Sequence, residues 1–148
     1  MKVIGAEQLQ AVLRNIGKKV PENARKVMHR GADKIVERAK LFAPHDTGAL
    51  EDSIHKEVSY ESAFGGRLAI DVIAGGFVDG VNVDDYASEV HENYDTKNEG
   101  PGTIAKQNEH PDVLVGGKFL ERAVDEQEPK LQANMIETIV AVVKDETK

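Results

Sequence analysis

The chain has 148 residues, 40% apolar and 30% charged, the ordinary composition of a soluble globular protein of about one domain. It contains no cysteine, which excludes disulfide frameworks, thiolate metal sites and cysteine nucleophiles. Aromatic residues are sparse at 5% with no Trp, a poor basis for a base-stacking surface. No stretch approaches the ~18 apolar residues of a membrane span, and none near Met1 resembles a signal peptide. A protein of the cytosol, or of a particle assembled inside a cell, is therefore expected.

The net charge of −7 is unevenly distributed. Residues 1–40 hold ten Lys and Arg against four Asp and Glu, whereas the remainder holds nine against twenty-two. Such a division suits a solvated basic helix, a contact between oppositely charged faces of neighbouring subunits, or a nucleic-acid arm. The last fits least, because the acidic remainder repels a polyanion.

In chain order, Ala6, Leu9, Val12, Leu13 and Ile16 recur at helical spacing up to Gly17, which reads as a stop. Pro21 then suits the first turn of a second helix. The stripe Val20, Ala24, Val27, Met28, Ala32, Ile35, Val36, Ala39 and Phe42 predicts a long amphipathic element ending before Pro44. From Ser53 the period becomes two. Ile54, Val58 and Tyr60, then Leu68, Ile70, Val72 and Ala74, flank a turn at Phe64-Gly65-Gly66 and predict an antiparallel hairpin. A third strand is expected over 77–83, and a brief helix over 86–92 capped by Asp84 or Asp85. Residues 93–117 are polar and rich in Gly and Pro, and read as an extended loop. The helical period returns over 118–145, kinked or restarted at Pro129. Helices, strands, then a helix argue for one α+β domain, with a small antiparallel sheet packed against a long amphipathic N-terminal helix and a C-terminal helix.

A search for chemistry finds little. No Ser or Thr lies in a nucleophile-elbow setting. His45-Asp46 and His91-Glu92 resemble fragments of metal-hydrolase motifs, but position 95 is Asp, where a helical zinc motif needs His. The acidic run Asp79–Asp85 has Val81 and Val83 at would-be calcium-ligand positions and reads as a solvated turn. Neither a catalytic residue, a metal site nor a cofactor is expected.

Three constellations remain. Ala43-Pro44-His45-Asp46-Thr47-Gly48-Ala49-Leu50 follows the long helix; Asp85-Tyr86-Ala87 leads to Val90-His91-Glu92; Gly116-Gly117-Lys118-Phe119-Leu120-Glu121-Arg122-Ala123 opens the last helix. Together they resemble the HK97 gp10-like family of tailed-bacteriophage neck and tail-completion proteins, some described as minor capsid or head–tail connector proteins. The resemblance implies a non-enzymatic subunit of a homo-oligomeric ring, most simply sixfold, between the head connector and the tail. Its partners would be other copies of itself, connector or stopper proteins and tail terminator or tail-tube proteins. Genomic DNA would be channel contents only, and no membrane would be involved. The virion's head–tail junction is the implied location. A tail terminator or tube-capping protein is the alternative, and a small metal-dependent hydrolase a distant one.

Within this resemblance Pro44, Thr47, Gly48, Leu50, Tyr86, His91, Glu92, Phe119 and Leu120 carry the family pattern, as helix stop, turn and core anchors. Lys26 and Arg30 on the basic helix, with Tyr94, Thr103 and His110 in the polar segment, are the candidate subunit-interface residues. The segment 93–117 would be an arm reaching a neighbouring subunit or ring.

Overall fold

The computed structural model of the protein describes residues 5–61 and 67–148. Helix α1 runs without interruption from Ala6 to Phe42, 37 residues, or about 55 Å at the helical rise. The break expected at Gly17 does not occur. Pro21 lacks the N–H that would bond the carbonyl four residues back, which belongs to Gly17. Both residues are exposed, so water can take that carbonyl and one lost bond does not end the helix.

A long partner supports α1 through this defect. Helix α5 (Phe119–Glu146) runs antiparallel beside it. Arg38 Nη2 lies 2.8 Å from Glu126 Oε2 towards one end, and Lys19 pairs with Glu146 towards the other. Pro129 sits on the exposed side of α5, and the helix likewise continues through it.

Helix α2 (Ala49–Ser53) precedes the hairpin of β1 (Ile54–Glu61) and β2 (Arg67–Ala74). The strands are antiparallel, with Ile54 opposite Ala74, Val58 opposite Ile70 and Tyr60 opposite Leu68. This register puts both predicted apolar sets on one face. Lys56 interrupts that face because its ammonium reaches across to α1, 2.6 Å from Asp33 Oδ1. The Phe64-Gly65-Gly66 turn lies outside the described residues.

The single strand expected over 77–83 is instead a miniature hairpin, β3 (Phe77–Val78) against β4 (Val81–Asn82). Its two-residue turn, Asp79-Gly80, has φ of 49° and 82°, the left-handed pair that matches strand twist in tight hairpins. A 3₁₀ turn at Val83–Asp85 leads into α3 (Ala87–Asn93). Neither Asp caps α3: Asp84 accepts from the Gly76 N–H at 2.9 Å, and Asp85 from Asn82 Nδ2 at 2.8 Å.

Helix α4 (Pro101–Glu109) corrects the reading of 93–117 as an extended loop. Gly100-Pro101, which suggested a loop, is a helix start with Pro in the first turn. The structure is thus α+β, with its apolar core at the C-terminal end of α1. There Ile35, Ala39, Phe42, Leu50, Ile54, Val83, Ala87, Phe119 and Ala123 pack together. At the opposite end Leu9 and Leu13 are each 59% exposed.

Candidate functional site

The three sequence constellations converge around the end of α1. Pro44 holds Ala43 extended at ψ 139° and stops the helix. A helix end leaves carbonyls without intrahelical donors, and here cationic side chains supply them. Lys106 of α4 donates to the carbonyls of Lys40 and Ala43 at 2.6 and 2.7 Å, and its ammonium lies 2.8 Å from Glu51 Oε1. The Gly116 N–H donates to the Phe42 carbonyl at 2.8 Å. Arg122 binds the carbonyls of Leu114, Gly116 and Gly117 at 2.6–3.1 Å. Both the Arg38 and the Arg122 guanidinium centres lie 4.8 Å from the centroid of the Phe42 ring, within cation–π range. Burial pushes Arg122 below its ordinary pKa. Positive charge at this end also complements the helix dipole.

Thr103, on α4, closes the same corner. Its hydroxyl accepts from the His45 N–H and donates to the His45 carbonyl, both at 3.0 Å. Gly102 makes that approach possible, since a Cβ there would lie 2.7 Å from the His45 carbonyl oxygen.

Beside this clamp opens a cleft of about 400 Å³, walled by Pro44, Leu50, Tyr86, Val90 and Tyr94, with Asp46 and Asn98 among its polar lining. Burial, with the Asp46 carboxylate nearby, raises the Tyr86 phenol above its ordinary pKa. The Tyr94 hydroxyl is buried without a hydrogen-bond partner among the described residues. Behind the cleft, His91 meets fully buried Phe119 edge to face, centroids 5.0 Å apart. Its Nδ1 lies 2.8 Å from Glu92 Oε1, and its carbonyl accepts from the Lys118 N–H at 2.7 Å. Glu92 is held below the usual carboxylate range by hydrogen bonds from Lys118 and His91.

The residues carrying the family pattern thus divide into two groups. Leu50 and Phe119 are core, with Leu120 packed against it, and Gly48 turns the chain at φ 91°. Pro44, Thr47, Gly48, Leu50 and Tyr86 line the cleft, while His91 and Glu92 tie α3 to the start of α5. Among the interface candidates, Tyr94 walls the cleft and His110 is exposed at the end of α4. Thr103 is only 2% exposed and is spent inside the chain. Lys26 is exposed and pairs with Glu22 at 3.1 Å. Arg30 lines a shallow groove between α1 and α5, away from the cleft.

The fragments that resemble metal motifs are occupied otherwise. His45 Nδ1 lies 2.7 Å from Glu51, the carboxylate that Lys106 also holds. Among the described residues no group of three or more His, Asp or Glu side chains is placed to hold a metal ion. Among the same residues no helix is long and apolar enough to cross a membrane. Lys106 and Arg122, the residues that fasten this corner, carry no sequence signal of their role, because a lone cation on a helix normally marks a solvated face.

Residues 7–94 match the family described as "Bacteriophage HK97-gp10, putative tail-component". The match takes in nearly all of α1, the hairpin, the miniature hairpin and α3, and so most of the walls of the cleft. The chain belongs to this family of bacteriophage tail components, structural proteins of the virion. Comparison with curated proteins and with solved structures finds no match.

Proposed function

We propose that the protein is a ring-forming neck or tail-completion subunit that joins the head connector to the tail around the DNA channel. The observation that carries this reading is the family match over residues 7–94, which spans the long helix and two of the three constellations. Two further features support it. The chain presents unpartnered apolar side chains on its long helices, Leu9, Leu13 and Ile136 being 59–65% exposed. Its tightest polar arrangement, around Lys106 and Arg122, serves to fix the shape of one end. A rigid building block that docks on neighbours needs both.

The description as a tail component keeps a second reading alive, a terminator or cap bound to the tail tube itself. The two differ in what they bind. Purified protein mixed separately with the phage's connector or stopper proteins and with its tail-tube protein decides between them. Co-sedimentation with the connector side supports the neck reading. Binding to tube ends alone replaces it with the terminator reading.

A further inference from the structure

We propose that the cleft beside Pro44 receives the first turns of α1 from a second copy of this chain, so that copies join head to tail. The proposal rests on the ring-subunit reading and names the contact that would build the ring.

The guest has the form of a helix made to lie in a groove. Leu9 and Leu13 stand one turn apart on α1, each 59% exposed. Arg14 and Lys18 follow at helical spacing, exposed and without ion-pair partners among the described residues. Residues 6–26 hold five Lys and Arg against two Asp and Glu. The host is complementary in both respects. Its walls are apolar, with Pro44, Leu50, Tyr86 and Val90, and Asp46 lies at the opening. The surrounding segment, residues 77–112, holds nine Asp and Glu against two Lys. An apolar centre with an oppositely charged rim is the anatomy of a specific interface.

The two halves of this contact cannot meet within one chain. The cleft begins at Pro44, just past the end of α1, and Leu13 lies 29 residues before Phe42 along one continuous helix. At the helical rise that is about 43 Å of rigid rod. Only another copy can bring an α1 start to a cleft. Because the two surfaces differ, the contact is heterologous, and repetition closes a ring or extends a filament. Both surfaces, except the far wall around Asn98 to Thr103, fall within residues 7–94.

The absence of native cysteine permits a direct test. One batch of full-length protein carries Leu13→Cys and another Val90→Cys. They are mixed under mild oxidation and run on a non-reducing gel, while sedimentation velocity reports the assembly state. The expected result is a mixed disulfide dimer between the two batches. Arg14→Glu with Lys18→Glu, folded by circular dichroism, should weaken wild-type association by ~tenfold or more. Adding Asp46→Lys and Glu89→Lys to that variant should restore it. An oligomer that forms without the mixed disulfide overturns this contact and leaves the ring reading standing. A chain that remains monomeric at high concentration, yet binds its connector partners, also overturns it. Retention on duplex DNA that the same two reversals abolish, with self-association intact, assigns the basic stripe to nucleic acid instead.

Discussion

Replacing Lys106 with Met keeps the length of the side chain and removes its charge, which tests whether α4 holds the end of α1. The ammonium has three partners at 2.6–2.8 Å, the carbonyls of Lys40 and Ala43 and the Glu51 carboxylate, and the side chain is only 12% exposed. A hydrogen bond involving a charged group contributes a net ~1.5–3 kcal/mol. The three share one ammonium, and Glu51 keeps His45 as a neighbour at 2.7 Å, so the losses do not simply add. We expect Lys106→Met to cost about 3 kcal/mol, towards the lower end for breaking a largely buried pair. For a chain of this size that lowers the thermal midpoint by ~6–12 °C. Urea denaturation followed by far-ultraviolet circular dichroism measures it, with the exposed Lys97→Met as a neutral control. A loss below ~1 kcal/mol would show that water replaces the ammonium freely and that α4 is not a structural clamp.

Phe119 is fully buried and lies edge to face with His91; Phe119→Ala should cost ~3–5 kcal/mol by chemical denaturation. At Gly48, φ is 91° and an added Cβ meets nothing closer than 3.6 Å. Gly48→Ala should therefore cost only the left-handed backbone penalty, ~1–2 kcal/mol, and a larger loss would reveal a packing role. Glu126 resists burial, which alone would raise its pKa, and is held below the ordinary value by Arg38. A depressed carboxylate contributes stability that is complete above its unfolded pKa, near ~4.3, and is lost as pH falls through the folded value. Stability should accordingly fall between about pH 5 and about pH 3. In Arg38→Met that decline should be shallower, measured by urea midpoints across the range.

The sequence made the frame legible where burial is periodic. The stripe from Val20 to Phe42 marks the face that α5 and the hairpin cover, and period two places Ile54, Val58 and Tyr60 opposite Ala74, Ile70 and Leu68. It misled where a local signal competes with tertiary support. Gly17 and Pro21 each argue for a stop, yet together they remove one solvent-facing hydrogen bond from a helix braced along its length by α5. Helix α4 was hidden for a different reason. It buries one residue, Thr103, and is held by polar groups that bond the backbone of distant segments. No apolar stripe exists to announce it. The miniature hairpin has arms of two residues, too short for any period to register.

The candidate site divides the same way. Pro44, Gly48, Leu50, Tyr86 and Phe119 stood out through the family resemblance, and the structure brings them to one corner. Thr103 stood out as an interface residue and is an internal fastener instead. The cleft itself is composed of side chains from 44–50, 86–94 and 98–103. Its charge complementarity to the start of α1 becomes apparent only once the length of α1 separates the two surfaces in space.

The central claim is position in the particle. Electron microscopy of virions carrying a labelled tag at the C-terminus of this chain tests it most directly. The account predicts label confined to the junction of head and tail, with a ring of density at that level. Label spread along the tail or over the head shell would contradict it.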